Sequence, residues 1–487
     1  MKLSYYAQRY LLFIGLVSIF QLILGANLIV LGAIDLVCAA AVIPLSRKSF
    51  DPTDLLYFSL CQYYGTFSLI LKTVFLQPVQ MNLVEPHLTC ELLVGGFAMI
   101  TVAYFAADRF VTRHYPGTRL RRWTIFESSF ANEAFLAKWT LPFSLMVYAM
   151  TLAISIGSHS VQEVANGLAT SGGLAALGNM QPLLQLALAM QLSLMTRRGN
   201  PGDKALVVTT LVLALGLTIL NNQKVLTFLV AITCVMHIMA YKIRINARLM
   251  TLSVVGLAVA FFYISPVIHI VRGLGVEKSD RIFATITILG EAHFNPFELQ
   301  EIESKMEGAG SVDTYARDLD YLRPNLIGTD RFTLLMPIDQ IDRSDMREPL
   351  GVRNFIAFVT AEALPKSLVG QHALESFGDR VAWQFSVRGN GIISRPALGV
   401  LGMGYGVAGT IGVLVVAPII VLILFLSIKL SCNGSIWQNP WAVFISSQYF
   451  FYGESDMEVV MVLLRVTAPI LMVAYLLIFL NRYVGNR

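Results

Sequence analysis

Residues 398–430 read LGVLGMGYGVAGTIGVLVVAPIIVLILFLSIKL, an apolar run whose only charged side chain is Lys429. The segment just before it, Arg272–Ala397, is the one long hydrophilic stretch of the chain. It holds 14 of the 36 Lys and Arg residues and 18 of the 31 Asp and Glu residues. Apolar runs of about 20 residues fit membrane-spanning α-helices rather than the alternating strands of a membrane barrel. The contrast predicts an all-α polytopic membrane protein with one large, partly helical loop.

The composition of the whole chain agrees with a membrane protein. Hydrophobic residues make up 55% of it and charged residues only 14%, whereas a soluble domain carries roughly a quarter charged residues. The net charge of +5 does not indicate nucleic acid, because most basic residues outside the loop lie in short connections, where membrane orientation explains them. The five cysteines form no CxxC and none lies in the loop, so we predict neither a disulfide framework nor a thiolate metal site. We expect no metal ion and no cofactor.

Outward from this stretch, the chain divides into about 12 predicted spans. Nine lie in residues 1–271, the loop domain is 272–397, and three lie in 398–487. Gly25-Ala26-Asn27 is predicted to form a tight turn between the first two spans. The predicted spans are residues 11–24, 28–45, 55–77, 88–107, 139–156, 177–195, 205–220, 225–241, 249–271, 398–430, 441–452 and 459–480.

Basic residues alternate between the connections, which predicts the orientation. The connections 46–54, 108–138, 196–204 and 242–248 are basic, and the intervening short loops hold almost no Lys or Arg. Short basic connections stay in the cytoplasm, whereas a long loop is not counted. We therefore expect both termini in the cytoplasm and the large loop on the periplasmic side.

Ionisable residues within or at the ends of spans are costly and mark candidate sites. Nearly all of them fall in the predicted outer half, under the loop, whereas a transporter needs polar groups near the midplane. We expect Lys72 to pair with Glu91 and the long cations to reach the headgroups. The residues in this set are Asp35, Lys72, Glu91, Lys224, His269, Arg272 and Arg465.

The large loop is predicted to be folded, because it is rich in phenylalanine and too long for a simple connection. Apolar residues at helical spacing predict an amphipathic helix over Gly351–Leu364, packed against the protein or the membrane. Leu364-Pro365 is a predicted helix boundary. Ile282–Leu289 is mostly apolar and is expected in the membrane interface.

Arginines carry the chemical signal of the loop, where eleven Arg outnumber three Lys. A guanidinium presents a planar fork that suits bidentate contact with phosphate. An arginine cluster beside an apolar bundle fits a lipid-linked diphosphate, although we expect more than half of these side chains to pair with the loop's carboxylates. Asp318-Leu319-Asp320 is an Asp-x-Asp that chance explains, and neither HExxH nor GxSxG occurs.

The end of the loop reads GIISRPALG over residues 391–399 and continues to YGVAG over residues 405–409. With many spans, one arginine-bearing outer loop and a glycine-rich entry to the next span, the chain resembles the oligosaccharide repeat-unit (O-antigen, Wzy-like) polymerases. Arg-x10-Gly spacings of the kind seen in that family occur at Arg380/Gly391, Arg388/Gly399 and Arg395/Gly406. The resemblance implies a type-C-like helical glycosyltransferase in the bacterial inner membrane, joining undecaprenyl-diphosphate-linked repeats.

The implied reaction transfers a sugar from a lipid diphosphate to an acceptor hydroxyl. Cations stabilise the leaving diphosphate, and a His or carboxylate takes the acceptor proton. The predicted catalytic residues are Arg272, Arg281, His372 and Glu291, with Glu375 as a further candidate base. The predicted substrate-binding residues are Lys224, Arg331, Arg353, Arg380, Arg388 and Arg465.

The resemblance also implies partners and leaves alternatives open. Expected partners are the lipid-linked oligosaccharide, membrane lipid, a chain-length regulator and a flippase, and no nucleic acid. The alternatives are an O-antigen ligase, whose acceptor is the lipid A core, and a transporter or flippase for lipid-linked sugars.

Overall fold

The computed structural model describes most of the apolar helices and parts of the large loop. The described residues are 4–47, 50–114, 133–155, 182–221, 224–243, 251, 263, 266–267, 270–271, 274, 280–295, 297–299, 301–302, 321–322, 333–342, 347–363, 375–387, 397–431, 439–451 and 468–485. Every regular element within these ranges is a helix, as the sequence predicts.

The chain forms two compact units. The first comprises Met1–Glu127, Asp313–Ile436 and Gln448–Leu464, and the second comprises Ser128–Val312, Trp437–Ser447 and Arg465–Arg487. The loop 272–397 is thus shared between the units, and its predicted boundaries stay a prediction.

The helices are numbered in chain order. Before the loop they are α1 (Tyr5–Ile23), α2 (Leu28–Ala40), α3 (Val42–Leu45), α4 (Pro52–Cys61), a π-helical segment (Gln62–Thr66), α5 (Phe67–Val74), α6 (Pro86–His114), α7 (Glu133–Ser155), α8 (Leu183–Arg198), α9 (Pro201–Asn221) and α10 (Lys224–Ala240). From the loop onward they are α11 (Arg281–Glu291), α12 (Leu335–Asp342), α13 (Val352–Ala363), α14 (Phe377–Gln384), α15 (Gly399–Ile411), a second π-helical segment (Gly412–Val416), α16 (Ala417–Ser431), α17 (Pro440–Phe451) and α18 (Ala468–Gly485).

Five helical ranges in the described part are long and apolar enough to cross a membrane: Tyr5–Ile23, Leu28–Leu45, Pro86–His114, Pro201–Thr218 and Gly399–Leu430. These correspond to predicted spans one, two, four, seven and ten, so the membrane-helix architecture is confirmed. The number of twelve spans stays a prediction.

The turn between the first two spans forms where the sequence predicts it. Gly25 has a φ of 83°, a left-handed conformation that glycine adopts without a steric penalty. The Asn27 side chain then accepts hydrogen bonds from the N–H groups of Ile29 and Val30 and caps α2. A local sequence signal therefore fixes this hairpin.

One end of the first unit is a network of charges that joins four helices. Lys429 Nζ lies 2.9 Å from Asp51 Oδ2 and 2.8 Å from Asp108 Oδ1. Arg47 lies 3.0 Å from Asp108 and 3.3 Å from Asp54. We call this end the basic end. It gathers the predicted cytoplasmic connections of spans two, three, four and ten.

The opposite end of the first unit holds the turn at Gly25 and residues 75–85, and we call it the loop end. The Asn27 N–H donates to Gln80 Oε1 at 2.9 Å, and Gln80 Nε2 donates to the Gly25 carbonyl at 2.9 Å. Predicted inner and outer connections therefore lie at opposite ends of this unit. Which side of the membrane each end faces stays a prediction.

The prediction of one continuous tenth span is wrong. Ala408 and Gly409 have non-helical backbone angles, and Gly409 has a φ of 59°. The chain reverses its direction at these two residues. They separate a short arm, residues 399–407, from a long arm, residues 411–431. Glycine at 409 permits the left-handed turn that a bulky residue resists. The long arm is about 30 Å long at 1.5 Å per residue, enough to span a membrane alone.

The second unit is built on α8, which is buried along most of its length. It packs against α7, α9 and α10 around a core that includes Leu141, Leu188, Val207 and Leu226. Arg197 near the end of α8 lies 3.2 Å from Glu133 at the start of α7, and burial raises the pKa of the Glu133 carboxyl. A second cluster joins α11 to Val267, Ile270 and Val271, which belong to the end of the predicted ninth span.

Candidate outer-face site

Two helices, α12 and the short arm of α15, begin deep inside the first unit, beside the first π-helical segment. The Leu334 N–H, just before α12, donates to the Tyr63 carbonyl at 3.2 Å. The Leu401 N–H, in the first turn of the short arm, donates to Tyr64 Oη at 3.0 Å. Tyr63 and Tyr64 lie near the middle of the helix formed by residues 52–74. Two half-helices, α12 of the loop and the short arm that follows the loop, therefore begin at the mid-depth of the first unit.

The junction of these half-helices is tightly closed. Gly399 has a φ of 66°, and a Cβ on it would stand 2.9 Å from Leu334 Cδ1 and collide with Tyr64 Oη. A Cβ on Gly96 of α6 would stand 2.7 Å from Leu401. Glycine at these positions lets the short arm approach its neighbours closely. Irregular backbone at membrane depth is tolerated because it is buried in protein.

Asp339 fastens α12 to the start of α6. Its carboxylate accepts from the N–H groups of Val84 at 2.9 Å and Glu85 at 2.8 Å, and from Thr89 Oγ1 at 3.1 Å. These groups surround the N-terminus of α6, where backbone donors lack helical partners and negative charge is favoured. α12 thus runs from the mid-depth of the unit to its loop end.

Lys72 fastens a second piece of the loop. Its Nζ donates to Gln77 Oε1 at 3.0 Å, to the Met81 carbonyl at 2.7 Å and to the Tyr321 carbonyl, and it lies 4.2 Å from the centre of the Tyr321 ring. The Lys72 side chain is fully buried. A buried ammonium needs several acceptors, and here Gln77, the Met81 carbonyl and the Tyr321 carbonyl of the loop supply them.

The expected pairing of Lys72 with Glu91 is wrong, and so is the expectation that Lys72 reaches the headgroups. Glu91 is exposed, whereas Lys72 is directed into the protein. The physical reason is the Tyr321 carbonyl and ring, which come from the loop and cannot be anticipated from neighbouring turns of two helices.

The predicted helix over Gly351–Leu364 is confirmed as α13, and the predicted boundary at Leu364-Pro365 lies outside the described residues. Its Phe355 and Phe358 rings lie 5.2 Å and 5.4 Å from the Phe377 ring of α14, measured between centroids. Both phenylalanines are buried. α13 is therefore packed on the protein through this face.

We call α13, α14 and the residues just before α13 the α13–α14 module. This module also contacts the C-terminal end of the short arm. The Leu350 and Gly351 N–H groups donate to the carbonyls of Gly406 and Val407 at 3.0 Å and 2.9 Å. They satisfy carbonyls at the C-terminal end of the arm, which have no partner within a helix. The α13–α14 module and the short arm are consequently one continuous packed structure.

Two predicted substrate-binding arginines lie on this module. Arg380 of α14 lies 2.7 Å from Glu375 and stacks over the Phe358 ring at 5.0 Å from its centroid. Arg353 of α13 is exposed. Arg380 follows the expectation that many loop arginines pair with carboxylates. Glu375 is engaged in that pair, so its carboxylate orients Arg380.

Three of the predicted site residues that the structure describes lie in the second unit. Arg281 begins α11 and is buried, with 5% of its surface exposed. Glu291 ends α11 and is exposed. Lys224 begins α10.

The remaining predicted residues lie outside the described residues. They are Arg272, His372, Arg331, Arg388 and Arg465. The structure thus brings Arg353 and Arg380 together on one module, and the role of all ten residues stays a prediction.

Neither the role of Asp339 nor the partner of Lys72 is among the features that the sequence predicts. The signal for Asp339 was a lone carboxylate within the apolar stretch LLMPIDQI, residues 334–341. Within the described residues no group of three or more His, Cys, Asp or Glu side chains is placed to hold a metal ion, and the Asp318–Asp320 pair lies outside them.

Comparison of the chain with protein-family models, with curated proteins and with solved structures finds no match in any of the three.

Proposed function

We propose that this protein is a membrane glycosyltransferase that polymerises lipid-diphosphate-linked oligosaccharide repeats at the outer face of the bacterial inner membrane. The observation that supports this most is the way the hydrophilic loop is built into the bundle. Lys72 and Asp339 fasten it to the loop end, and the module it forms there carries Arg353 and Arg380. The resemblance to O-antigen polymerases supplies the reaction class.

In this proposal the arginines hold the leaving diphosphate while its lipid tail stays in the bilayer. Guanidinium groups neutralise the charge that develops on the diphosphate as the glycosidic bond breaks. His372 or Glu291 takes the proton of the acceptor hydroxyl. Glu375 is assigned the orienting of Arg380, because the two side chains already form a 2.7 Å ion pair.

A transporter of lipid-linked sugars is the second candidate, and the half-helices favour it. Transporter sites often use half-helix N-termini near the bilayer midplane. Here, however, the two N-termini meet close-packed side chains, among them Tyr64 and Leu334. A ligase shares the chemistry of the polymerase and differs only in its acceptor.

The test uses the purified protein in lipid nanodiscs with a lipid-diphosphate oligosaccharide as the only substrate. A polymerase gives a ladder of products that differ by one repeat. A ligase gives product only when lipid A core is added. Absence of both products, with movement of the lipid-linked sugar between the leaflets of vesicles, would replace the proposal by the transporter.

A further inference from the structure

The α11 helix of the second unit divides into three lengthwise sectors. The buried sector holds Arg281, Ile288 and the half-buried Ala284. At about 100° per residue, an apolar exposed sector follows on one side of it, with Ile282, Phe283 and Ile286. A polar exposed sector with Thr287 and Glu291 completes the circle. The three sectors therefore face three different environments.

The first neighbour is the protein itself. Ile288 and Ala292 pack in one cluster with Val267, Ile270 and Val271, which end the predicted ninth span. α11 also packs against α9, which contains a helical range able to cross a membrane. The helix is therefore held at the level where an apolar span ends.

Further exposed apolar side chains lie in the turn that follows the helix. Tyr263 Oη donates to the Phe294 carbonyl at 3.1 Å, and the Phe297 N–H donates to Asn295 Oδ1 at 3.0 Å, which fixes this turn. The exposed fractions are 72% for Phe283, 60% for Ile286, 63% for Phe294 and 78% for Phe297. Four large apolar side chains exposed within 15 residues are unusual for a surface that faces water.

We propose that residues 281–297 form an interfacial element whose apolar sector is immersed in the bilayer surface at the end of the ninth span. Continuity with that span and the order of the sectors identify the occupant as lipid. A helix that lies in the plane of a membrane surface keeps its apolar face in the acyl boundary and its polar face in water. Here the third face rests on the helix bundle, so the element lies against the bundle at the edge of the membrane.

The experiment places an environment-sensitive fluorophore on cysteine in the full-length protein, one site at a time. The variants are Phe283→Cys and Phe297→Cys for the apolar sector and Glu291→Cys for the polar sector. Wild-type protein labelled in parallel gives the background from native cysteines. Each protein is reconstituted into phosphatidylcholine and phosphatidylglycerol vesicles, and only variants that elute as wild type are compared.

Two quenchers separate lipid from water. Phospholipid brominated near the top of its acyl chain should quench the labels at 283 and 297 several-fold more than the label at 291. Aqueous iodide should give the reverse order. Ile286→Cys repeats the measurement within the same sector should either phenylalanine variant fail to fold.

Two results would overturn the proposal. Iodide quenching at 283 and 297 equal to that at 291 would place the sector in water. Protection of both sites from both quenchers would mean that a protein surface, either another chain or a second copy, covers the sector. Neither result bears on the glycosyltransferase assay, so the two proposals fail independently.

Discussion

Gly404 and Gly412 lie against each other across the turn at Ala408–Gly409. A Cβ on Gly404 would stand 2.7 Å from the Gly412 carbonyl oxygen and 3.0 Å from the Cβ of Ala417. Residues eight apart in a continuous helix are about 12 Å apart along its axis. The contact is therefore the direct sign that the short arm folds back on the long arm.

We expect Gly404→Ala to lower the free energy of unfolding by about 1–3 kcal/mol, because the added methyl group forces the arms apart. Gly216→Ala is the matched control, since a Cβ on Gly216 of α9 meets nothing within 4 Å. That change should be neutral or stabilising by about 0.5–1 kcal/mol. Thermal unfolding in detergent measures both. Equal shifts for the two variants would contradict the folded-back arms.

Asp339→Ala should destabilise the attachment of α12. The substitution leaves the donors of Val84, Glu85 and Thr89 without their acceptor. A buried donor that loses its partner costs about 1–3 kcal/mol, which applies to Thr89 Oγ1, and the two partly buried backbone donors cost less. Asp280→Ala is the control, because Asp280 is exposed and its side chain makes no capping bond to α11. An equal loss of thermal stability in the two variants would show that Asp339 does not fasten α12 to α6.

The arginine clamp predicts large effects of single substitutions on the polymer. If the loop arginines only decorate a surface, each Arg→Ala change stays within about 0.5 kcal/mol. If some hold the diphosphate, loss of one costs on the order of 10²-fold or more in rate. We expect the larger effect for at least two members of the set. The set is Arg272, Arg281, Arg331, Arg353, Arg380, Arg388 and Arg465.

Polymer-length profiles from a deletion strain, at matched protein level, measure this effect. Arg→Lys should restore activity only partly, because an ammonium keeps the charge and loses the planar fork. Arg113→Ala, at the exposed end of α6 near the basic end, is the control for charge removal. If all seven Arg→Ala variants give wild-type polymer ladders, these arginines do not hold the diphosphate.

The orientation predicts labelling from opposite sides of the membrane. Cysteines introduced at Ser311 and Thr118 should react with impermeant reagents from the periplasm and the cytoplasm, respectively, because basic connections alternate. Intact and permeabilised cells distinguish the two sides. Reaction of both cysteines from the same side would reject the orientation.

Activity should survive removal of divalent metal ions. Guanidinium groups neutralise a diphosphate without Mg²⁺, so the ladder should persist in EDTA. The measurement is the assay in nanodiscs with and without chelator. Complete loss that Mg²⁺ reverses would direct attention to Asp318 and Asp320 as cation ligands.

Patterns of neighbouring residues predicted turns and helices of this protein, but they did not predict contacts between residues far apart in the sequence. The turn at Gly25-Ala26-Asn27 and the amphipathic helix α13 depend on neighbouring residues, so the sequence indicates them directly. The partner of Lys72 comes from Tyr321, 249 residues away. No helical periodicity encodes a contact across that separation.

The turn at Ala408–Gly409 shows a different limit. Residues 398–430 are apolar throughout, so a hydropathy average cannot distinguish one long helix from two arms. The available sign was the density of glycine from 399 to 412, which also fits a close helix crossing. The candidate site residues were chosen from the family resemblance and from the arginines of the loop. Among those that the structure describes, Arg353 and Arg380 lie in one packed module.

The burial of Lys72 has a consequence for how the chain is made. Gln77 and Met81 leave the ribosome soon after Lys72, but Tyr321 follows 249 residues later. At about 5–20 residues per second, that interval is about 12–50 s. Of the three acceptors in the finished structure, only Gln77 and Met81 are present during this interval. We therefore expect the burial of Lys72 to be completed only after the middle of the loop has been synthesised.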